Sequence, residues 1–320
     1  MNQKIVARPD KNEFLLYAML DTYGLMRGNP DSHFLRRKAK DHFSGYKGIG
    51  LTQRMYCHHS KPVSYVLLLN EAPDFAERRD IEFDSCSKID IKKGRAVLPY
   101  LIHFYKSTDF EEFYNSILPR YKEECDFVQG ILDRSKISYL LDEIWKVVDP
   151  FYDIVIPMPL EGAKSGVGPG FCGKAFHIIG PPFDSGILEL IVHEGSHPRA
   201  KHVLKPIKSD IKEKSHLLEI AMKNPNYSNN YNNWEVCFEE HLIRAMSIYY
   251  LHPKLGVNET ANQFLKIEEE WSGMVFIRDF YDEIRRHDSA KVSTQEVALD
   301  ILRALDKKYT FEETSNLRKK

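Results

Sequence analysis

The chain has 320 residues, 42% hydrophobic and 28% charged, enough apolar material for a sizeable core as one large or two ordinary domains. Its formal net charge of −1 gives no electrostatic reason to bind nucleic acid or an anionic membrane surface, and no apolar run approaches the roughly 18 residues of a membrane span. Residues 1–8 carry no signal-peptide apolar block, and the cysteines (Cys57, Cys86, Cys125, Cys172, Cys237) form no Cys-x-x-Cys, so a cytoplasmic, reducing location without a disulfide framework is expected.

In chain order, residues 12–26 read as a helix and His33 to Phe43 as a second, charged one. Pro62 to Asn70 is a short apolar segment of helical or strand character. Cys57-His58-His59 has a metal-like composition, but no second ligand pair follows at zinc-finger spacing, and a surface loop is expected there. Residues 108–148 form two or three helices through Phe110, Phe113, Ile117, Phe127, Ile131, Leu140, Ile144 and Trp145, ending at Pro150. No repeat or flexible linker interrupts this half, so residues 1–150 are expected to be a helical N-terminal layer and residues 151–320 a second region, the two forming one compact unit.

At Tyr152 the pattern changes. Tyr152 to Met158 is strand-like, Gly162 to Gly173 is a glycine-rich loop, and Ala175 to Ile179 is a second strand. Gly168 to Lys174 satisfies Gly-x4-Gly-Lys, but Ala175 stands where a phosphate-binding loop needs Ser or Thr, and a strand follows where a helix should open. A hairpin or mobile flap is the better reading. His177 reads as a packed or rim histidine, and the strand at Ala175–Ile179 is expected to be able to pair with an extended peptide. Helices follow near 208–223, 233–251, 261–285 and 294–306.

Between the second strand and those helices lies Ile187-Leu188-Glu189-Leu190-Ile191-Val192-His193-Glu194-Gly195-Ser196-His197. Residues four apart share one helix face, so His193 and His197 point the same way, and two such imidazoles can hold one Zn²⁺ at about 2.0–2.1 Å. Glu194 lies about 100° round the helix from His193, beside a metal rather than on it, where a general base for an activated water is required. The preceding turns are apolar nearly all round, which predicts a buried helix whose polar end needs a partner. Asp184 or Ser185 can cap its start, and Pro198 predicts a stop at His197.

A catalytic zinc needs a third protein ligand and an open position. The helix from Asn233 to about Leu251, with a capping box offered by Asn232-Asn233-Trp234-Glu235, is apolar nearly all round and carries Glu239, Glu240 and His241. Glu240 shares a stripe with Val236, Ile243 and Ser247 that holds no other acid, which favours it over Glu239. A salt bridge from Glu240 to Arg244, one turn on, is the plain structural alternative and is compatible with ligation. His241 would instead give a three-histidine site.

The two histidines of His-Glu-x-x-His with a glutamate on a later helix resemble the gluzincins, the thermolysin-like zinc metallopeptidases. His193-Glu194-Gly195-Ser196-His197 with Trp234 and Glu240-His241-Leu242-Ile243-Arg244-Ala245 is more similar still to a prokaryotic metallopeptidase-like family catalogued only as a domain of unknown function. That family has a helical N-terminal part; Tyr46 and His58-His59 fall roughly where it carries a Tyr/Phe-rich helix and a His-Pro segment. The resemblance implies a zinc fold without naming a substrate. Thermolysin-like enzymes commonly place an acid four residues after the ligand glutamate; Arg244 stands here instead, so that support must come from elsewhere. Pro198-Arg199-Ala200-Lys201-His202 departs from the metzincin continuation.

The expectation is therefore a predominantly helical α+β protein with a zincin-like unit and a small sheet next to the His193 helix. It would hold one Zn²⁺ per chain on His193, His197 and Glu240 and act as a zinc metallopeptidase on a peptide or protein substrate. Glu194 is the general base, and Tyr231, His241 and Arg244 are candidate oxyanion donors. No nucleic-acid or membrane partner is expected, and oligomeric state is left open. The rival readings are a regulatory zincin that binds or cleaves one protein partner and a metal-free helical interaction protein.

Overall fold

The computed structural model describes residues 5–26, 33–46, 60–79, 88–135, 137–146, 151–171, 173–184, 186–227, 231, 233–251, 260–287 and 292–317. Cys57, His58, His59, Ser185 and Asn232 lie outside them. The protein is predominantly helical with one small mixed sheet, an α+β arrangement. Two compact units divide the chain, Met1–Tyr139 with Asp149–Pro198, and Leu140–Val148 with Arg199–Lys320. Among the described residues no helix is long and apolar enough to cross a membrane.

The first unit is built round a helix with no polar face. Asp10 caps α1 (Lys11–Thr22) by accepting from the Glu13 N–H at 3.0 Å. Every residue from Lys11 to Leu20 is buried, as an unpatterned apolar helix must be. Its polar residues are then costly unless partnered. Lys11 Nζ donates to the Ala72 carbonyl and to Glu111, and Asn12 bonds the Asn70 carbonyl and the Ala72 N–H. Round Phe14 stand Phe110, Phe113, Tyr114 and Tyr121 of α5 (Phe110–Ser135), with ring centroids 5.6 to 6.4 Å away. Two further helices, α2 (Phe34–Phe43) and α3 (Ser60–Val66), resolve the first segments as predicted, the ambiguous one as helix. Between them and α5 runs α4 (Lys88–Ser107), an element the sequence reading omitted.

The sheet of this unit has the order β1-β2-β5-β3, with β4 also on β5. β1 (Ile5–Ala7), β2 (Tyr152–Pro157) and β5 (Lys174–Ile179) run parallel; β3 (Gly166–Val167) and β4 (Gly170–Phe171) are antiparallel to β5. β2 and β5 are buried along nearly their whole length, as central parallel strands are. The glycine-rich segment is thus a hairpin that turns at Gly173, φ +69°. The topology corrects one expectation: β5 pairs with β2 on one side and with β3 and β4 on the other, so it has no free edge for an added peptide.

In the second unit α10 (Trp234–Met246) is the central helix. Asn233 caps it by accepting from Val236 N–H at 2.9 Å. Trp234 and Phe238 meet Phe276 and Phe280, the latter on α12 (Ile277–His287). α6 (Ile137–Trp145), α8 (Lys208–Glu213), α9 (Leu217–Met222), α11 (Ala261–Glu270) and α13 (Thr294–Leu317) complete the set. The continuous helix expected over 261–285 is two helices, separated at Gly273, whose φ of +67° ends helical geometry.

Candidate metal centre

The helix with the histidine pair, α7, runs Ile187–Leu204. Asp184 accepts from the Gly186 N–H at 2.8 Å just ahead of it. Ile187, Ile191 and Val192 are buried, Leu188 and Leu190 half-buried, and Glu189 exposed. Pro198 does not stop the helix at His197, which corrects the sequence expectation. A proline inside a helix costs about 3 kcal/mol, because it cannot donate to the carbonyl four residues back and crowds it. Burial beyond the proline offsets that cost. Arg199 is fully buried and donates to Asp142 Oδ1 through Nε and Nη2 at 3.1 and 2.8 Å. Ala200 and Leu204 are buried as well.

His193 and His197 sit on one face of α7, their ring centroids 5.1 Å apart and their planes near perpendicular at 89°. Each of His193, His197 and Glu240 offers one ligand atom, and these atoms all lie within 4.8 Å of one another. No other group of three or more His, Cys, Asp or Glu has this property among the described residues. A tetrahedral ion with bonds of about 2.0–2.1 Å holds its ligand atoms roughly 3.4 Å apart. Two imidazoles and a carboxylate are a donor set that could hold a divalent ion. The histidines are half-buried and Glu240 only 9% exposed. Glu194, 6% exposed, follows His193 directly and is not a member of the group.

Of the three polar candidates on α10, only Glu240 joins the histidines; Glu239 does not. His241 is turned into the core and fully buried. Its Nδ1 donates to the Cys237 carbonyl at 2.7 Å and its Nε2 accepts from the Phe276 N–H at 3.4 Å. Both ring nitrogens are therefore used by the neutral ring, and burial, followed by the Arg244 charge, lowers its pKa to about 4. This removes His241 both as third histidine and as oxyanion donor.

Arg244 lies one turn beyond Glu240, with Nε 3.5 Å from Glu240 Oε2. Its Nη1 donates to both carboxylate oxygens of Glu268 on α11, at 2.8 and 2.9 Å, and Nη2 reaches the Tyr231 hydroxyl at 3.4 Å. Burial opposes the guanidinium charge, but Glu268, Tyr231 and Glu240 outweigh it and hold its pKa above the usual value. Burial and then the Glu240 charge raise the Tyr231 pKa, so its phenol keeps its proton. Glu268 is thus the acid that pairs with Arg244.

Behind α7, His177 of β5 joins the sheet to the helix. It is fully buried, with Nδ1 2.9 Å from the Ile191 carbonyl and Nε2 2.8 Å from Asp153 Oδ1 on β2. It is the packed histidine, not a rim one. The signal for the pair was present: two polar residues in otherwise apolar strands. Sequence reading also passed over Gly166, Gly168 and Gly170, which abut Glu194 and Pro198. Their alternate spacing places all three on one face of an extended segment.

No curated protein and no solved structure matches the chain. Residues 171–289, a stretch that contains His193, Glu194, His197, Tyr231, Glu240 and Arg244, match the family model described as a domain of unknown function (DUF4932).

Proposed function

We propose that this protein is a zinc-dependent hydrolase of peptide bonds with a zincin-like centre, one Zn²⁺ per chain being held by His193, His197 and Glu240. The observation that carries this reading is the approach of those three donors to within 4.8 Å, with Glu194 next in sequence to His193. A bound ion would lower the pKa of a water toward about 7 and polarise the scissile carbonyl. Glu194, with its carboxylate confined in a largely buried position, would accept a proton from the attacking water and return it to the leaving amine. Tyr231 donates its hydroxyl hydrogen to the oxygen that gains charge. Arg244, neutralised by Glu268, holds the Glu240 carboxylate in place.

Elemental analysis of chelator-free protein tests the first step. Wild type and Glu194→Gln are expected to carry one divalent metal per chain, and His193→Ala and His197→Ala to lose it. With a peptide selected by wild type from a pooled library, Glu194→Gln is expected to be slower by on the order of 10²–10⁴-fold. Wild type without stoichiometric metal, or Glu194→Gln cleaving at the wild-type rate, refutes the proposal.

A further inference from the structure

The α7 residues nearest the glycines of the β3–β4 segment are Glu194 and Pro198. A Cβ built on Gly166 would stand 2.9 Å from Glu194 Cγ, 3.1 Å from Glu194 Oε1 and 2.9 Å from the Ile178 carbonyl. One on Gly168 would fall 2.0 Å from the Glu194 carbonyl oxygen, and one on Gly170 2.4 Å from Pro198 Cβ. None of the three has the positive φ that requires glycine; those are Gly24, Gly173 and Gly273. Space alone therefore excludes a side chain at 166, 168 and 170.

The contacts have a consistent logic. Pro198 cannot donate to the Glu194 carbonyl, the acceptor one turn back. That carbonyl is the atom against which the Gly168 backbone lies. Gly170 accommodates the proline ring itself. Gly166 lies under the Glu194 carboxylate and its Cγ. The helix thus contacts the strand through the backbone of Glu194, the side chain of Glu194 and the ring that perturbs it.

We propose that Gly166, Gly168 and Gly170 form a side-chain-free rail that positions the Glu194 carboxylate for proton transfer. The inference rests on the hydrolase reading above and deepens it. Gly166 is a positioning residue, acting through Glu194. Gly168 and Gly170 seat the helix turn from which Glu194 projects. An alanine at 166 displaces the carboxylate by a fraction of an ångström to an ångström, and misplacement of that size costs up to about 10²-fold in rate.

The test is a double-mutant cycle between Gly166→Ala and Glu194→Gln, with Gly130→Ala as control, since a Cβ at Gly130 meets only Arg134 Nη1 at 3.6 Å. Gly166→Ala is expected to keep its metal, with a lowered thermal midpoint because its Cβ also meets the Ile178 carbonyl. Its kcat on the wild-type-selected peptide should fall about 10²-fold with little change in KM, and it should cost nothing further in the Glu194→Gln background. Equal losses in both backgrounds, or no loss in either, overturn the inference. A second readout needs no turnover. The probe is acetohydroxamate, a metal chelator whose N–OH proton a correctly placed carboxylate would take on binding to the Co²⁺-substituted protein. Its affinity, read from the cobalt absorption, is expected to fall in Gly166→Ala and in Glu194→Gln alike. If wild type binds metal yet cleaves no peptide, the hydrolase reading fails, and this titration still decides the rail: undiminished affinity in Gly166→Ala overturns it. Should Gly166→Ala not fold, Glu194→Asp serves in its place. A carboxylate held over Gly166 cannot follow the shorter side chain, so acetohydroxamate affinity should fall as in Glu194→Gln, and wild-type affinity would overturn the inference.

Discussion

Glu13→Gln should stabilise the protein increasingly as pH rises. Glu13 is fully buried on α1, and neither carboxylate oxygen has a hydrogen-bond partner. Burial, then the charges of Asp10 and Glu161, raise its pKa well above the ordinary glutamate value of 4.5. The folded chain therefore keeps this proton at pH values where the unfolded chain has released it. Unfolding then releases a proton, so stability is complete below pH 4.5 and falls as pH rises toward the folded pKa. At pH 7 the gap from 4.5, at about 1.36 kcal/mol per pH unit, sets a ceiling on the order of 3 kcal/mol. Glutamine has the same shape and does not titrate; any cost of burying its amide is independent of pH. Urea unfolding of both proteins at pH 5, 6 and 7, followed by circular dichroism, isolates the effect. The stability difference should move toward the variant from pH 5 to pH 7, by at most about 2–3 kcal/mol. Parallel stability curves across that range would refute the reasoning.

Asp142→Ala removes the acceptor of two hydrogen bonds from fully buried Arg199 and should lower stability by about 3–5 kcal/mol, read as a lower urea midpoint; a change below 1 kcal/mol would count against the account of how α7 continues past Pro198. Glu240→Gln should weaken Zn²⁺ binding far more than Glu239→Gln in a competition titration with a chromophoric chelator, and the reverse order would move the ligand by one residue. His241→Phe should keep metal stoichiometry while losing about 1–3 kcal/mol through the unsatisfied Phe276 N–H, and metal loss would return His241 to the ligand set.

The elements that the sequence announced are those with strong periodicity or unbroken apolar runs: α1, α5, β2, β5, α10, and the helical spacing of His193 and His197. The omissions have physical causes. β1 is three residues long, too short to carry a period. α4 contains Gly94 and Pro99, which read as breakers; yet a Cβ at Gly94 would lie 2.1 Å from Tyr65 Cβ, so the glycine is what lets α3 approach. α7 outlasts Pro198 because long-range burial of Arg199 overrides a local penalty. Glu240 was separable from Glu239 by helix geometry, whereas Glu268 was not: its role depends on α11 meeting Arg244, which no local pattern encodes.

The His177 pair acts as a proofreading device for the sheet. The Ile191 carbonyl can only accept, so Nδ1 carries a hydrogen, and one further hydrogen lies between Nε2 and Asp153 Oδ1. A slip of β5 by one residue would turn every side chain on it to the opposite face. His177 would then lose its carbonyl, and Asp153 would remain in the interior opposite an apolar residue. Either loss alone costs about 1–3 kcal/mol. In the wrong register both are lost together, so the pair favours the observed register by the sum of two such costs.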